Sequence, residues 1–141
     1  IFYKKVVETV VHEFCHSFTK IKGDTEKALE KSGKALQEYT YFSMRRQAYS
    51  TWRNILEESL VRAATICYLI DHDYDEKDIR NAIIEQVDRN FFWMPELVQT
   101  LRYYESHRKK YPTFTSFYPE IIRFFDRYVA DVEKEIQKAL K

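Results

Sequence analysis

The sequence predicts an all-α fold of about six helices. Two observations carry this prediction: only 2 glycines and 3 prolines interrupt the 141 residues, and apolar residues recur mostly at three- and four-residue spacing. The chain is 45% hydrophobic and 16% aromatic, which supplies the core of one domain. We therefore expect a single helical domain over residues 1–141.

Helix-capping and helix-breaking residues set the expected boundaries. The first long helix is predicted over residues 2–22 and ends at Gly23. Asp24 or Thr25 caps a second helix that runs to residue 40, and a looser stretch follows over 41–49. Ser50 caps a third, strongly apolar helix that ends at Asp71.

The second half of the chain predicts three more helices. A fourth runs over residues 76–91, and Pro95 is well placed as the first residue of a fifth over 96–108. After a break at 111–113, Ser116 caps the last helix, whose final turns are charged.

Composition excludes several classes of function. The chain has 23 basic and 22 acidic side chains, for a net charge of +1, and its one cluster of like charge is 108–110. This balance does not indicate nucleic acid or an anionic membrane as a partner. No apolar stretch approaches the ~18 residues of a membrane span, and two cysteines outside a CxxC pattern predict no disulfide framework.

The first predicted helix carries the pattern HExxH, formed by His12, Glu13 and His16. On a helix, this spacing places both imidazoles on one face, where they can share a zinc ion. Zinc lowers the pKa of a bound water, and Glu13 is placed to take its proton as a general base. The two histidines lie at the edge of an apolar face that consists of Val10, Val11, Phe14 and Phe18.

A catalytic zinc needs a third protein ligand, and the sequence offers an acid on the third helix. No histidine follows His16 at the metzincin spacing. At 100° per residue, Glu58 lies at the edge of the main apolar arc of that helix, whereas Glu57 points to the far side. Glu58 is therefore the predicted ligand, Glu57 is the alternative, and Asp71 and His72 are reserves.

Other side chains are candidates for supporting roles. Arg62 falls within the apolar arc one turn after Glu58, where it can hold Glu58 or bind a substrate carbonyl or carboxylate. Stabilisation of an oxyanion needs a further donor. The candidates are Arg62, Tyr103, Tyr104, Tyr111 and His107.

Several strings resemble an uncharacterised bacterial family, domain of unknown function 4932. These strings are 11–18, 58–63, 92–97, 104–105 and 108–113. The chain is also similar to a zincin of the gluzincin type, which implies that His12, His16 and Glu58 bind zinc and that Glu13 is the general base. Zincins carry a sheet before the HExxH helix, so we expect this chain to be the helical part of a longer protein, of a kind often exported.

The expected function is hydrolysis of a peptide or protein substrate by a Zn²⁺-dependent peptidase. A zinc-binding but non-catalytic zincin-like module is the first alternative. A helical protein-interaction domain with a fortuitous HExxH is the second. Substrate, compartment and oligomeric state are left open by the sequence.

Overall fold

The computed structural model describes residues 2–141, with side chains from Tyr3 onward. All regular secondary structure in this part of the chain is helical, as predicted. The helices are α1 Phe2–Cys15, α2 Gly23–Tyr39, α3 Tyr41–Arg46, α4 Trp52–Asp71, α5 Glu76–Asp88, α6 Met94–Ser106 and α7 Phe114–Leu140. About six helices were expected. The additional one, α3, lies in the stretch that was predicted to be loose.

The apolar helix α4 is the centre of the fold. It contacts α1, α2, α5 and α6, and α7 packs against α2 and α6. Residues on most sides of α4 are buried, because a helix surrounded by neighbours has no solvated face. Trp93, at the start of α6, is buried and donates a hydrogen bond from its indole nitrogen to Ser59 Oγ of α4 (2.9 Å). These contacts hold α4 rigidly beneath α1.

The first helix ends at Cys15, seven residues earlier than predicted. The buried Thr19 hydroxyl donates to the Cys15 carbonyl (3.2 Å), which satisfies an acceptor at the helix end. The buried Ile21 donates its backbone N–H to Glu57 Oε1 (2.9 Å). The chain after Cys15 is therefore held against α4 in a conformation that a continued helix would not allow.

Four predicted caps were also wrong, among them Asp24 or Thr25 as the cap of α2, which lie inside that helix. Gly23, with φ at 62°, begins α2 instead of ending α1, and Lys22 precedes it without a side-chain cap. Thr51, not Ser50, caps α4 by accepting from the backbone N–H of Asn54 (3.2 Å). Thr113 caps α7, and the predicted Ser116 serves as the second member of the capping box.

The apolar residues of α1 divide between two sides of the helix. Cys15 is buried and Val11 is half-buried, on the side that faces α4. Val10 and Phe14 are 62% and 68% exposed, and Phe18 after the helix is 38% exposed. The predicted apolar face is therefore largely exposed to solvent.

None of the helices within residues 2–141 has both the length and the apolar content needed to cross a bilayer.

Candidate metal centre

The two histidines of the HExxH pattern lie next to each other at the end of α1. His12 is in the last turn of α1, and His16 is in the turn that follows Cys15. Their ring centroids are 5.1 Å apart and the rings meet edge to face. The side chains are 24% and 34% exposed, so both imidazoles are partly desolvated and still accessible.

The structure brings Glu58 of α4 against both imidazoles. Its Oε1 lies 3.2 Å from His12 Nε2, and its Oε2 lies 3.5 Å from His16 Nε2. A tetrahedral zinc ion with ligands at ~2.1 Å places those ligand atoms about 3.4 Å from one another. Two histidine nitrogens and one carboxylate are also a known set of ligands for catalytic zinc. The residue types and the two distances from Glu58 therefore suit the ion that the sequence predicts.

Two side chains support the Glu58 carboxylate from behind. The Tyr49 hydroxyl donates to Glu58 Oε1 (3.1 Å) and accepts from an Arg62 terminal nitrogen (2.9 Å). Arg62 Nε also lies 3.1 Å from Glu58 Oε1, although its N–H is not aligned for a hydrogen bond with any described residue. The other terminal nitrogen of Arg62 donates to Gln86 Oε1 of α5 (2.6 Å). The guanidinium is thus fixed on three sides, one of them the Phe91 ring, whose centroid is 5.0 Å away.

The charge state of Glu58 results from opposing effects. Burial raises the pKa of this carboxyl group, whereas the hydrogen bond with His12 and the positive charge of Arg62 lower it. The lowering effects prevail, so the pKa lies below its usual value and Glu58 is an anion at neutral pH. Burial raises the pKa of Tyr49, so its hydroxyl keeps the proton that it donates. An anionic carboxylate is the form that binds a metal.

Glu13 lies beside this cluster and remains accessible to solvent. One carboxylate oxygen of Glu13 and one ring nitrogen each from His12 and His16 all lie within 4.8 Å of one another. Glu13 is not among the groups that contact Glu58. This position leaves its carboxylate available to accept a proton from a group bound at the histidines.

Glu57 is buried as well, but it has a different partner. Its Oε1 accepts from the backbone N–H of Ile21 (2.9 Å), and its Oε2 lies 3.8 Å from Lys20 Nζ. The helical wheel placed Glu58 at the apolar edge and Glu57 on the far side, and the structure gives the two carboxylates different partners. The wheel did not indicate that Glu57 is buried against the chain between α1 and α2.

The reserve ligands lie at the exposed C-terminal end of α4. The His72 ring stacks on Tyr68 at 3.7 Å, and its Nδ1 lies 2.8 Å from the Tyr68 carbonyl oxygen. Asp71 forms an ion pair with Arg102 of α6. These contacts involve neither His12 nor His16.

The tyrosine and histidine candidates for the oxyanion role lie in α6 and in the segment after it. Tyr111 is buried and donates its hydroxyl to Glu120 (3.0 Å). The Tyr104 ring packs against Phe114 and Phe117, and Tyr103 stacks on His107 at 3.8 Å. Of the five candidates, the structure brings Arg62 alone into the cluster around Glu58.

Sequence reasoning missed Tyr49 and Gln86. Tyr49 is one of 11 tyrosines, and it follows Ala48, whose positive φ of 67° redirects the chain after α3. Gln86 projects from α5, and its role depends on how α5 packs on α4. Neither residue has a sequence signal of its own.

A groove of about 270 Å³ between α1, α4 and α5 extends from His12 along the side of α1. We call it the α1–α5 groove. The residues that line it include Glu8, Thr9 and His12 of α1, Arg62, Thr65, Ile66 and Leu69 of α4, and Ala82, Glu85, Gln86 and Arg89 of α5 and its end. Of the candidate metal centre, His12 and the supporting Arg62 line this groove. A second groove of similar volume, lined by apolar residues such as Phe14, Phe18 and Tyr104, contacts α1 elsewhere.

Comparison with family models confirms the resemblance to domain of unknown function 4932. Searches of curated proteins and of solved structures found no significant match. A family model described as a domain of unknown function (DUF4932) matches residues 1–124 of the 141. The matched range includes α1 to α6, the first part of α7 and every residue of the candidate metal centre. The chain therefore belongs to the DUF4932 family.

Proposed function

We propose that this domain is the metal-binding part of a zinc-dependent peptidase. The observation that carries the proposal is the position of Glu58, whose two carboxylate oxygens lie 3.2 and 3.5 Å from the Nε2 atoms of His12 and His16. In this proposal those three residues hold the zinc ion, and the peptidase is of the gluzincin type, with two histidines and a glutamate as ligands.

A purely structural role would give this buried cluster little stabilising effect. A buried carboxylate with two histidines and an arginine around it stabilises a fold poorly, because desolvation offsets most of the attraction between the charges. Apolar side chains of similar volume would fill the same space. A bound metal ion would compensate the buried carboxylate and use both histidines as ligands.

The other residues then have defined tasks. When bound, zinc supplies a Lewis acid that polarises a peptide carbonyl and acidifies water. Glu13, exposed beside both histidines, accepts the proton from water and passes it to the leaving amine. Tyr49 and Arg62 hold Glu58 in place. Arg62 also lines the α1–α5 groove, in which the substrate chain lies.

Elemental analysis of the purified, dialysed protein tests the metal site. We expect close to one zinc per chain, and loss of that zinc in His16→Ala and in Glu58→Gln. The matched controls are His107→Ala, on an exposed histidine, and Glu57→Gln, which keeps an acceptor for the Ile21 N–H. Zinc in the Glu58 variant equal to that in the Glu57 variant would remove Glu58 from the ligand set.

Hydrolysis is tested separately on the longest natural form of the protein. Glu13→Gln should retain zinc and lose hydrolysis of casein and of quenched fluorescent peptides by at least about a hundredfold. Retained zinc with no hydrolysis by the parent protein would favour a non-catalytic zinc module. Absence of zinc in the parent protein, even after reconstitution, would contradict the proposal.

A further inference from the structure

Glu8 is a charged residue of the α1–α5 groove that the proposed mechanism does not use. It lies on α1 four residues before His12, and both side chains line the groove. Glu8 is half-buried. In the described part of the chain, its carboxylate has neither a salt bridge nor a hydrogen bond, and only longer-range charges act on it.

The other charges at the groove already have partners. Arg62 is paired with Glu58 (3.1 Å), and Arg89 is paired with Glu85 (2.8 Å). Nearby, Lys4 is paired with Asp78 (2.6 Å). Among the charged side chains that line the groove, Glu8 is therefore the one without an ion-pair partner in the described part of the chain.

The surroundings of Glu8 disfavour its charged form. Burial raises the pKa of Glu8, and repulsion by Glu85 and Asp78 raises it further, while the nearby Lys5 and Lys4 oppose the shift. The carboxylate therefore sits in a partly desolvated place that Glu85 and Asp78 also influence. A cation that enters the groove relieves both effects, because it supplies the missing countercharge.

We propose that Glu8 binds the cationic side chain of a lysine or arginine in the peptide substrate. The inference rests on the proposed peptidase function, since it takes the scissile bond to lie at His12 and His16. Glu8 and His12 are one helical turn apart, about 6 Å along the axis. A lysine or arginine side chain spans this distance from a peptide bond at the metal centre.

A free α-amino group does not fit the same geometry. Its nitrogen is two bonds from the carbonyl carbon of its own residue, so it stays close to the scissile bond and does not reach the next turn. The structure therefore favours an endopeptidase with a preference for basic side chains over an aminopeptidase.

Peptide binding can test the inference without any turnover. The probes are an acetylated and amidated pentapeptide with one central lysine, the same peptide with norleucine, and the norleucine peptide with a free α-amino group. Binding is measured by calorimetry to the zinc-loaded full chain in a Glu13→Gln background. Glu8→Gln is the test variant, and Asp88→Asn, an exposed acid of α5 outside the groove lining, is the matched control.

We expect the lysine peptide to bind about tenfold more tightly than its norleucine counterpart. This preference should fall below about twofold in Glu8→Gln and stay unchanged in Asp88→Asn. Equal binding of the two blocked peptides, no binding of either, or a preference that survives in Glu8→Gln would overturn the inference. A gain from the free α-amino group equal to that from lysine would also overturn it.

Hydrolysis tests the peptidase proposal, and peptide binding tests the role of Glu8. Failure of the Glu13-containing protein to hydrolyse any peptide would contradict the peptidase proposal. The charge preference in binding decides the role of Glu8 by itself, because it is measured in the variant in which hydrolysis is disabled.

Discussion

At the scale of single residues, the candidate centre depends on one carboxylate that several groups share. Glu58 Oε1 lies about equally far from His12, Tyr49 and Arg62, at 3.2, 3.1 and 3.1 Å. Oε2 lies nearer His16. In this arrangement one oxygen has a ring nitrogen, a hydroxyl group and a guanidinium nitrogen around it. Its orientation is therefore fixed before any metal binds.

Removal of the Tyr49 hydroxyl tests whether its neighbours hold Glu58 in place. Tyr49→Phe removes the donor to Glu58 and the acceptor for Arg62 while it keeps the ring. We expect zinc affinity to fall by about tenfold to a hundredfold, as for other groups that orient a metal ligand. A competition titration with a chromogenic chelator measures this affinity.

Tyr103→Phe is the matched control, because its ring is partly exposed and stacks on His107 away from Glu58. Equal zinc affinity in the two variants would show that Tyr49 does not position the ligand. A fall in affinity together with a native circular dichroism spectrum would support the positioning role.

Sequence patterns predicted the candidate ligands of this site but not the residues that support them. The histidine spacing and the helical wheel predicted His12, His16 and Glu58 as ligands, and the structure brings these three side chains together. Each pattern works within one helix, where residues have fixed relative positions. Tyr49 and Gln86 come from a loop and from a neighbouring helix. Their contacts depend on packing between elements, which no local pattern encodes.

At the scale of elements, the packing of helices overrides local preference in α1 and α2. Apolar residues at three- and four-residue spacing and Gly23 as a stop predicted that α1 would continue to residue 22, but contacts of Thr19 and Ile21 accompany its end at Cys15. In α2, a glycine occupies a buried position in the middle of the helix. Glycine is unfavourable there by roughly 0.5–1 kcal/mol relative to alanine.

Gly33 is required by the close approach of α2 to α4. A Cβ atom at this position would lie 2.4 Å from Trp52 Cε3 and 3.3 Å from Leu56 Cδ1. We expect Gly33→Ala to lower the free energy of unfolding by about 1–3 kcal/mol, although helix propensity alone predicts a gain. Urea denaturation followed by circular dichroism measures the change.

Lys34→Ala is the control on the same helix, since Lys34 is exposed and its loss should change stability by no more than about 0.5 kcal/mol. A Gly33 variant as stable as the parent would mean that the Trp52 ring moves aside at little cost.

At the scale of the whole molecule, the fold assembles the candidate centre from distant parts of the chain. His12 and His16 lie near its beginning, Glu58 is in the central helix, and Gln86, which holds Arg62, lies on α5. The sequence predicted the all-helical class because helical periodicity is a local property. It could not predict which helix would cover which side of α4.

In the proposed function, this assembly makes zinc binding a property of the native state. Zinc that binds the folded protein and not the unfolded chain adds RT ln(1 + [Zn]/Kd) to stability, or about 4 kcal/mol at a thousandfold excess over Kd. For a domain of this size we expect the melting temperature to rise by roughly 8–15 °C. Differential scanning calorimetry with zinc and with a chelator measures the shift. His12→Ala, whose ligand set is incomplete, should melt at one temperature in both conditions, and an equal rise in parent and variant would place the stabilising zinc elsewhere on the chain.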